Sequence, residues 1–251
     1  MLLNKNPKKP QMKLSQFSNH KFKFCLIFLS SFFLSLGQEN SIDENLFTKI
    51  DSLYREDQFY LGITYNLLKN APVGFSNDKF SAGFSGGFLR DMPLNKNRNI
   101  AFASGLGLTF NNYSQNIGII DSGQTLVYKV LDGSVAYSQN KFSLLFLDLP
   151  IEFRWRTSTF ENHQFWRIHG GFKCSYLFFD RSVFRSPETD SVIIGNSDFN
   201  KWQYGTYLSV GYSGINLYLY YGLNSVFKSA QIDGKNIAMK PFNIGLIFYI
   251  L

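Results

Sequence analysis

The sequence predicts an all-β protein: an eight-stranded antiparallel up-and-down transmembrane β-barrel behind an N-terminal signal peptide. Three observations carry this. Stretches alternating with period two recur eight times, as strands with two different faces do. In most of them the large apolar side chains share one face, while Gly, Ser, Asn and charge share the other. The gaps between strands run alternately long and short, as in a membrane meander with short turns on one side and longer loops on the other. Composition agrees: aromatics are 18% and charged residues only 17% of the 251 residues, with 27 Phe and 14 Tyr. That mix suits strands better than a helical bundle, and it is not that of a disordered chain.

Residues 1–37 read as the signal peptide. Lys5, Lys8, Lys9, Lys13, Lys21 and Lys23 precede an apolar run from Phe24 to Leu36, and small residues Ser35 and Gly37 precede Gln38. Either Met1 or Met12 serves as the start. The run is shorter than the ~18–20 apolar residues of a spanning helix, which argues against an uncleaved anchor. Losing six lysines and no acid takes 25 basic and 18 acidic residues to 19 and 18, a net charge of +1. The apparent basicity therefore belongs to the signal, and nucleic acid is not an expected partner. Cys174 is the one cysteine beyond the signal, so no internal disulfide is expected.

Residues 38–57 form a polar N-terminal segment, expected in the periplasm. Ile42, Leu46, Ile50, Leu53 and Tyr54 recur there at near-helical spacing, which fits a short helix, a partial plug or a frayed tether. The barrel is expected over 58–251. Its first strand alternates Phe59, Leu61, Ile63 and Tyr65 with Tyr60, Gly62, Thr64 and Asn66. Stretches 80–90 and 100–110 follow, with Gly, Ser and Ala on the small face. Stretches 142–156 and 165–179 come next. Then 202–212 sets Trp202, Tyr204, Thr206, Leu208, Val210 and Tyr212 against Gln203, Gly205, Tyr207, Ser209 and Gly211. The last two strands, 215–224 and 242–250, repeat the alternation. A soluble barrel buries its large apolar side chains; here they predict the lipid face.

The charges sit on the other face. Asp148, Glu152, Arg154 and Arg156 alternate with Leu149, Ile151, Phe153 and Trp155, and Arg167 and Lys173 alternate with Trp166, Ile168 and Phe172. They are expected to form a lumen cluster, with Glu152 beside Arg154 and across the hairpin from Arg167. Buried charges must be paired. The cluster reads either as a structural ion-pair network or as a narrow conduction path or binding site. Trp155 and Trp166 are expected opposite each other at the short-turn end and Trp202 at the long-loop end, an interfacial aromatic girdle. Asn243, Gly245, Phe248 and Ile250 close the chain in the pattern of a barrel insertion signal, which implicates the barrel assembly machinery as a partner alongside outer-membrane lipid.

An eight-stranded interior is just filled by side chains. This one must hold Tyr60, Tyr207, Tyr218, Tyr220 and Tyr249 with the charges, so a wide pore is not expected. No catalytic residues, metal ligands or cofactor site are assigned. His163 and His169 have no acids at ligand spacing, and the chain is not expected to be an enzyme. Both termini are expected in the periplasm. Loops 112–141 and 180–200 are the longest, and 124–130 reads as a strand within the first.

Several blocks resemble the PorT family: Phe59–Asn66, Gly86–Asn95, Asn99–Gly107, the ending Gly245–Leu251, and above all Leu149-Pro-Ile-Glu-Phe-Arg-Trp-Arg-Thr-Ser-Thr159 with Phe165-Trp-Arg-Ile-His-Gly-Gly-Phe-Lys173. The resemblance spans essentially the whole chain after the signal. It implies an outer-membrane barrel required for type IX protein secretion, with an accessory or assembly role in exporting surface proteins and gliding adhesins and with other components of that system as partners. It carries over no catalytic residues. The alternative is a small porin-like or ligand-binding barrel with no secretion role.

Overall fold

The computed structural model describes residues 57–77, 79–95, 97–123, 125–157 and 166–250. The expected signal peptide (1–37), all but the last residue of the 38–57 segment, and His163 lie outside the described residues. The strands are β1 (Gln58–Lys69), β2 (Ala82–Pro93), β3 (Ile100–Ser114), β4 (Ile117–Asp121), β5 (Leu126–Val130), β6 (Gln139–Arg156), β7 (Trp166–Arg185), β8 (Asp190–Ile194), β9 (Trp202–Tyr212), β10 (Ile215–Gly222), β11 (Gln231–Ile232), β12 (Lys235–Asn236) and β13 (Lys240–Ile250).

Eight of them, β1, β2, β3, β6, β7, β9, β10 and β13, form a closed antiparallel barrel. Each pairs with the next in this order, and β13 returns to β1 from Phe59↔Ile250 to Lys69↔Lys240. Closure leaves no open edge within the ring, the condition under which strands can cross lipid with their backbone groups satisfied. The remaining strands belong to the long connections. β4 and β5 make a hairpin, β11 and β12 a second, and β8 adds to the far end of β7.

The alternation is inverted, as the sequence predicts. Phe59, Leu61 and Ile63 on β1, Leu147, Leu149 and Phe153 on β6, and Ile215 and Leu217 on β10 point outward and are exposed. Tyr60, Asn66, Asp148, Glu152 and Asn216 point inward and are buried. Tight packing of tyrosines is possible because glycines stand opposite them. A Cβ at Gly171 would collide with the ring of Tyr207, whereas one at the outward-facing neighbour Gly170 would meet nothing within 4 Å.

Two aromatic pairs stand toward the two ends of the outward-facing apolar band. Trp166 and Tyr212 are register partners, with ring centroids 5.6 Å apart, at the short-turn end. Tyr176 and Trp202 are partners with centroids 5.0 Å apart toward the long-loop end. Trp166 and Tyr176 are ten residues apart on β7. At ~3.3 Å per residue and a ~40° tilt that is a band ~25 Å tall, the thickness an outer-membrane barrel presents to lipid.

Beyond the Tyr176–Trp202 pair the pattern reverses, which the sequence reading did not anticipate. A bulge at Phe178 of β7, between the pairs Leu145↔Phe179 and Phe146↔Leu177, shifts the register there. Around it Phe142, Leu144, Phe146 and Leu177 point inward, where the strands were expected to carry small or polar residues. They join Phe199, Val226, Phe227 and Met239 from the long connections and Ile117 and Tyr128 from the β4–β5 hairpin in one apolar core. Phe142 and Phe199 lie 5.4 Å apart between ring centroids, and Phe199 stacks on Phe227 at 4.9 Å. The reason is solvent. Outside the membrane the outer face of a strand meets water, so apolar side chains gain by turning inward. The barrel is inside-out in lipid and conventionally packed above it.

Candidate functional site

The lumen holds two charged groups stacked along the barrel axis. The group nearer the short turns is built on β2, β6 and β7. Arg154 donates from Nε to Glu152 Oε2 at 2.8 Å and from Nη1 to Asp91 Oδ1 at 3.2 Å. Arg156 donates from Nη2 to Asp91 Oδ2 at 2.9 Å and from Nε to the Arg98 carbonyl at 2.8 Å. Asp91 therefore bridges two guanidiniums, and its own backbone N–H is held by Asp57 Oδ1 at 2.9 Å. Glu152 Oε1 accepts from the Tyr207 hydroxyl at 2.9 Å. The Arg154 guanidinium also lies over the Tyr249 ring, 5.8 Å from its centroid.

The second group lies toward mid-barrel. Lys173 Nζ stands 3.2 Å from Asp148 Oδ2 and 4.8 Å from the Tyr220 ring centroid. Asp148 also accepts from the Thr109 and Ser175 hydroxyls. All six charges named from sequence are buried, and so is Asp91.

The register corrects two expected neighbours. Arg167 is buried, but it stands opposite Arg156, and the residue opposite Glu152 is Gly171. Trp155 is paired with Ile168 and not with Trp166, a two-residue offset. Trp155, Trp166 and Trp202 are all exposed on the outer wall. On β13 Asn243 is buried in the lumen, Gly245 faces Thr64 of β1, Ile250 is exposed and Phe248 half-exposed.

Asp91 was missed by the sequence reading. Arg90 looks like the onset of a polar turn, and the second strand was ended there. The inward set Gly83, Ser85, Gly87, Leu89 continues with the same parity to Asp91, which is the signal that identifies it.

His169 Nδ1 lies 3.8 Å from Glu152 Oε2, and Ser209 is its register partner on β9. The order carboxylate, imidazole, hydroxyl is that of a hydrolase, but His169 and Ser209 are both buried. The cavities beside the two groups measure about 20 Å³ each, room for a water. Among the described residues no three His, Cys, Asp or Glu gather in a metal-binding group.

A larger cleft lies outside the lumen. It measures about 470 Å³ and is lined by Asn70, Pro72, Val73, Lys129, Asp233 and Asn236 among others, between the first and last long connections and the β4–β5 hairpin. Above the lumen, the connections are tied by hydrogen bonds. The Tyr128 hydroxyl donates to Asp198 Oδ2 at 2.8 Å and accepts from Asn196 Nδ2 at 2.8 Å. Asp180 accepts from the Asn196 backbone N–H at 2.7 Å. Burial pushes the Tyr128 hydroxyl well above the usual tyrosine range, so it stays a donor.

Comparison with known proteins agrees with this architecture. The family model of the outer membrane protein beta-barrel domain matches residues 37–228. No curated protein matches the chain. Among solved structures, similarity is found to Ail, the attachment invasion locus protein of Yersinia pestis, in complex with the heparin analogue sucrose octasulfate. It has 12% identity, covers 78% of this chain and 99% of that one, and has a TM-score of 0.36. A mutant of the Rh. blastica porin has 7% identity, 78% and 100% coverage and a TM-score of 0.14. At these scores neither bears on the reading of this chain.

Proposed function

The chain belongs to the outer membrane protein beta-barrel domain family, and from that premise we propose that it serves type IX protein secretion as an accessory or assembly barrel, with both termini in the periplasm. The observation that carries the reading is the filled interior. Two paired charge groups, five tyrosines and an apolar core occupy the barrel from its short turns to its long connections. Such a lumen is no conduit for a polypeptide, so a role in secretion is exerted from the barrel's surface, on partners. The PorT-like block from Leu149 to Thr159 supports the assignment to this system. Its residues 149–156 lie in the membrane-spanning half of β6, which carries Glu152, Arg154 and Arg156 inward and Trp155 outward.

The test is deletion of the gene followed by quantitation of surface-exported proteins and of their precursors in the periplasm. Precursor accumulation, reversed by the intact gene, is expected. Normal export in the deletant overturns the proposal. A second reading, a ligand-binding barrel with no secretion role, is favoured by the cleft of about 470 Å³, which lies within the size range of small-molecule sites. Normal export together with retention of a ligand by the purified protein selects it.

A further inference from the structure

β6, β7 and β8 rise above the Tyr176–Trp202 pair as a three-stranded blade, and its outer face differs from the lipid band below. The outward positions, from the membrane upward, are Leu145, Ser143, Lys141 and Gln139 on β6 and Phe179, Arg181, Val183 and Arg185 on β7. On β8 they are Ile194, Val192 and Asp190. Three cations, Lys141, Arg181 and Arg185, face one acid, Asp190, which is the register partner of Arg185. Among the described residues no ion pair or side-chain hydrogen bond engages any of the three cations.

Apolar side chains are interleaved with these cations. Ile194, the register partner of Arg181, is 62% exposed, and Val192 is 49% exposed. Val183 shares the outward parity but is only 5% exposed, between its register partners Lys141 and Val192. Exposed aliphatics under unpaired cations are poorly matched to open water and well matched to a lipid interface.

Height supports the same match. Arg181 pairs with Ser143, four residues along β6 from Leu147, the partner of Tyr176. That is ~13 Å along the strand and ~10 Å along the membrane normal. The polar layer on each side of a bilayer is ~5–8 Å deep. An arginine stem reaches back into it, with Ile194 level with Arg181 and Phe179 below, toward its acyl boundary.

We infer that this blade face is a docking surface for phosphate-bearing headgroups of the lipids that surround the long-loop end of the barrel. Arg181, the cation nearest the lipid band, would donate to phosphate oxygens, Lys141 and Arg185 higher on the blade would add charge at longer range, and Ile194 beside Arg181 would face the lipid body. The surface is continuous with the lipid-facing wall, so a bound lipid reaches it without leaving the bilayer. The inference does not depend on a role in secretion.

The test uses the full-length barrel in detergent and bis-phosphorylated lipid A, with retention measured after capture of the protein. The wild type is expected to retain bis-phosphorylated lipid A at least ~10-fold better than the dephosphorylated form, since each basic side chain near a charged surface contributes ~5-fold. K141Q/R181Q/R185Q, with the heat-modifiable gel shift confirming its fold, is expected to lose that preference. Inorganic phosphate at millimolar concentration is expected not to compete. Equal retention of both lipid forms by the wild type overturns the inference without any variant. So does full competition by inorganic phosphate, which marks a free-anion site. A variant that keeps its lipid preference but loses a protein partner makes the face a protein surface, and the inference fails.

Discussion

Glu152 and Arg154 stand two residues apart on β6, point the same way into the lumen and meet at 2.8 Å between Nε and Oε2. Neither has another direction in which to find water, because both are essentially unexposed. A period-two strand that places Phe153 and Trp155 in lipid must place these two inside.

Glu152→Ala is therefore expected to destabilise the barrel by ~3–5 kcal/mol, the cost of breaking a buried pair from one side. It takes one carboxylate partner from Arg154, which keeps Asp91, and the acceptor from Tyr207. Glu152→Ala with Arg154→Leu removes the stranded charge and should recover part of the loss. Urea titration in detergent, followed by the heat-modifiable gel shift, measures both. A single variant as stable as the wild type shows the pair to be dispensable.

Asp91→Ala is expected to cost more than Glu152→Ala. It removes the carboxylate shared by Arg154 and Arg156, held at 3.2 and 2.9 Å. Asp91→Asn keeps the shape and one acceptor and should fall between wild type and Asp91→Ala. The same titration ranks the three; a loss from Asp91→Ala smaller than that from Glu152→Ala contradicts the bridging role.

The importance of Asp91 shows where sequence reading stops. The barrel was legible because lipid forces a strict alternation, so all eight strands and the long and short connections could be read from period two alone. The charges on β6 and β7 were legible for the same reason. Asp91 was not, because Arg90 and Pro93 imitate a turn and end the apparent strand early. The apolar core above the membrane was hidden too. Phe142, Leu144 and Phe146 belong to the inward set of β6, and only the change of surroundings from lipid to water explains why that set is polar below and apolar above. Register across the hairpin was read two residues out for the tryptophans, since Thr157 hydrogen-bonds Trp166 across the turn and the ladder then carries Trp155 to Ile168.

Adjacent glycines give opposite expectations. Gly171→Val drives a side chain into the Tyr207 ring, which is itself fixed on Glu152, and overpacking of this kind costs ~1–3 kcal/mol or more. Gly170→Val adds an apolar group on the outer wall, where nothing lies within 4 Å. The first variant should fold poorly and the second normally when each is refolded into detergent. Equal folding yields contradict the packing of the lumen.

Orientation is tested on intact cells. With both termini in the periplasm, single cysteines introduced after Cys174→Ser in the long connections, in place of Ser122, Ser134 or Thr189, should react with an impermeant thiol reagent. A cysteine in place of Asn95 or Asn99, in the short connection between β2 and β3, should react only after the outer membrane is opened. The reverse pattern inverts the barrel.

The last expectation concerns the cap over the lumen. Tyr128 comes from β5, Asn196 and Asp198 from the connection between β8 and β9, and Asp198 also accepts from the Ser229 hydroxyl at 2.6 Å, in the connection after β10. One phenol thus ties three connections together, while its ring packs edge-on against Phe227, 5.7 Å between centroids. Tyr128→Phe keeps the ring and removes the hydroxyl, leaving the Asn196 amide without its acceptor and Asp198 without one donor. The loss is ~1–3 kcal/mol if those groups stay buried. Because the tie is far from the lipid band, the loss should appear as local opening of the connections and not as unfolding of the barrel. Limited proteolysis of the purified protein should cut Tyr128→Phe faster than wild type between residues 186 and 201, with the heat-modifiable shift unchanged. Unchanged cleavage rates would show that the apolar core alone holds the cap closed.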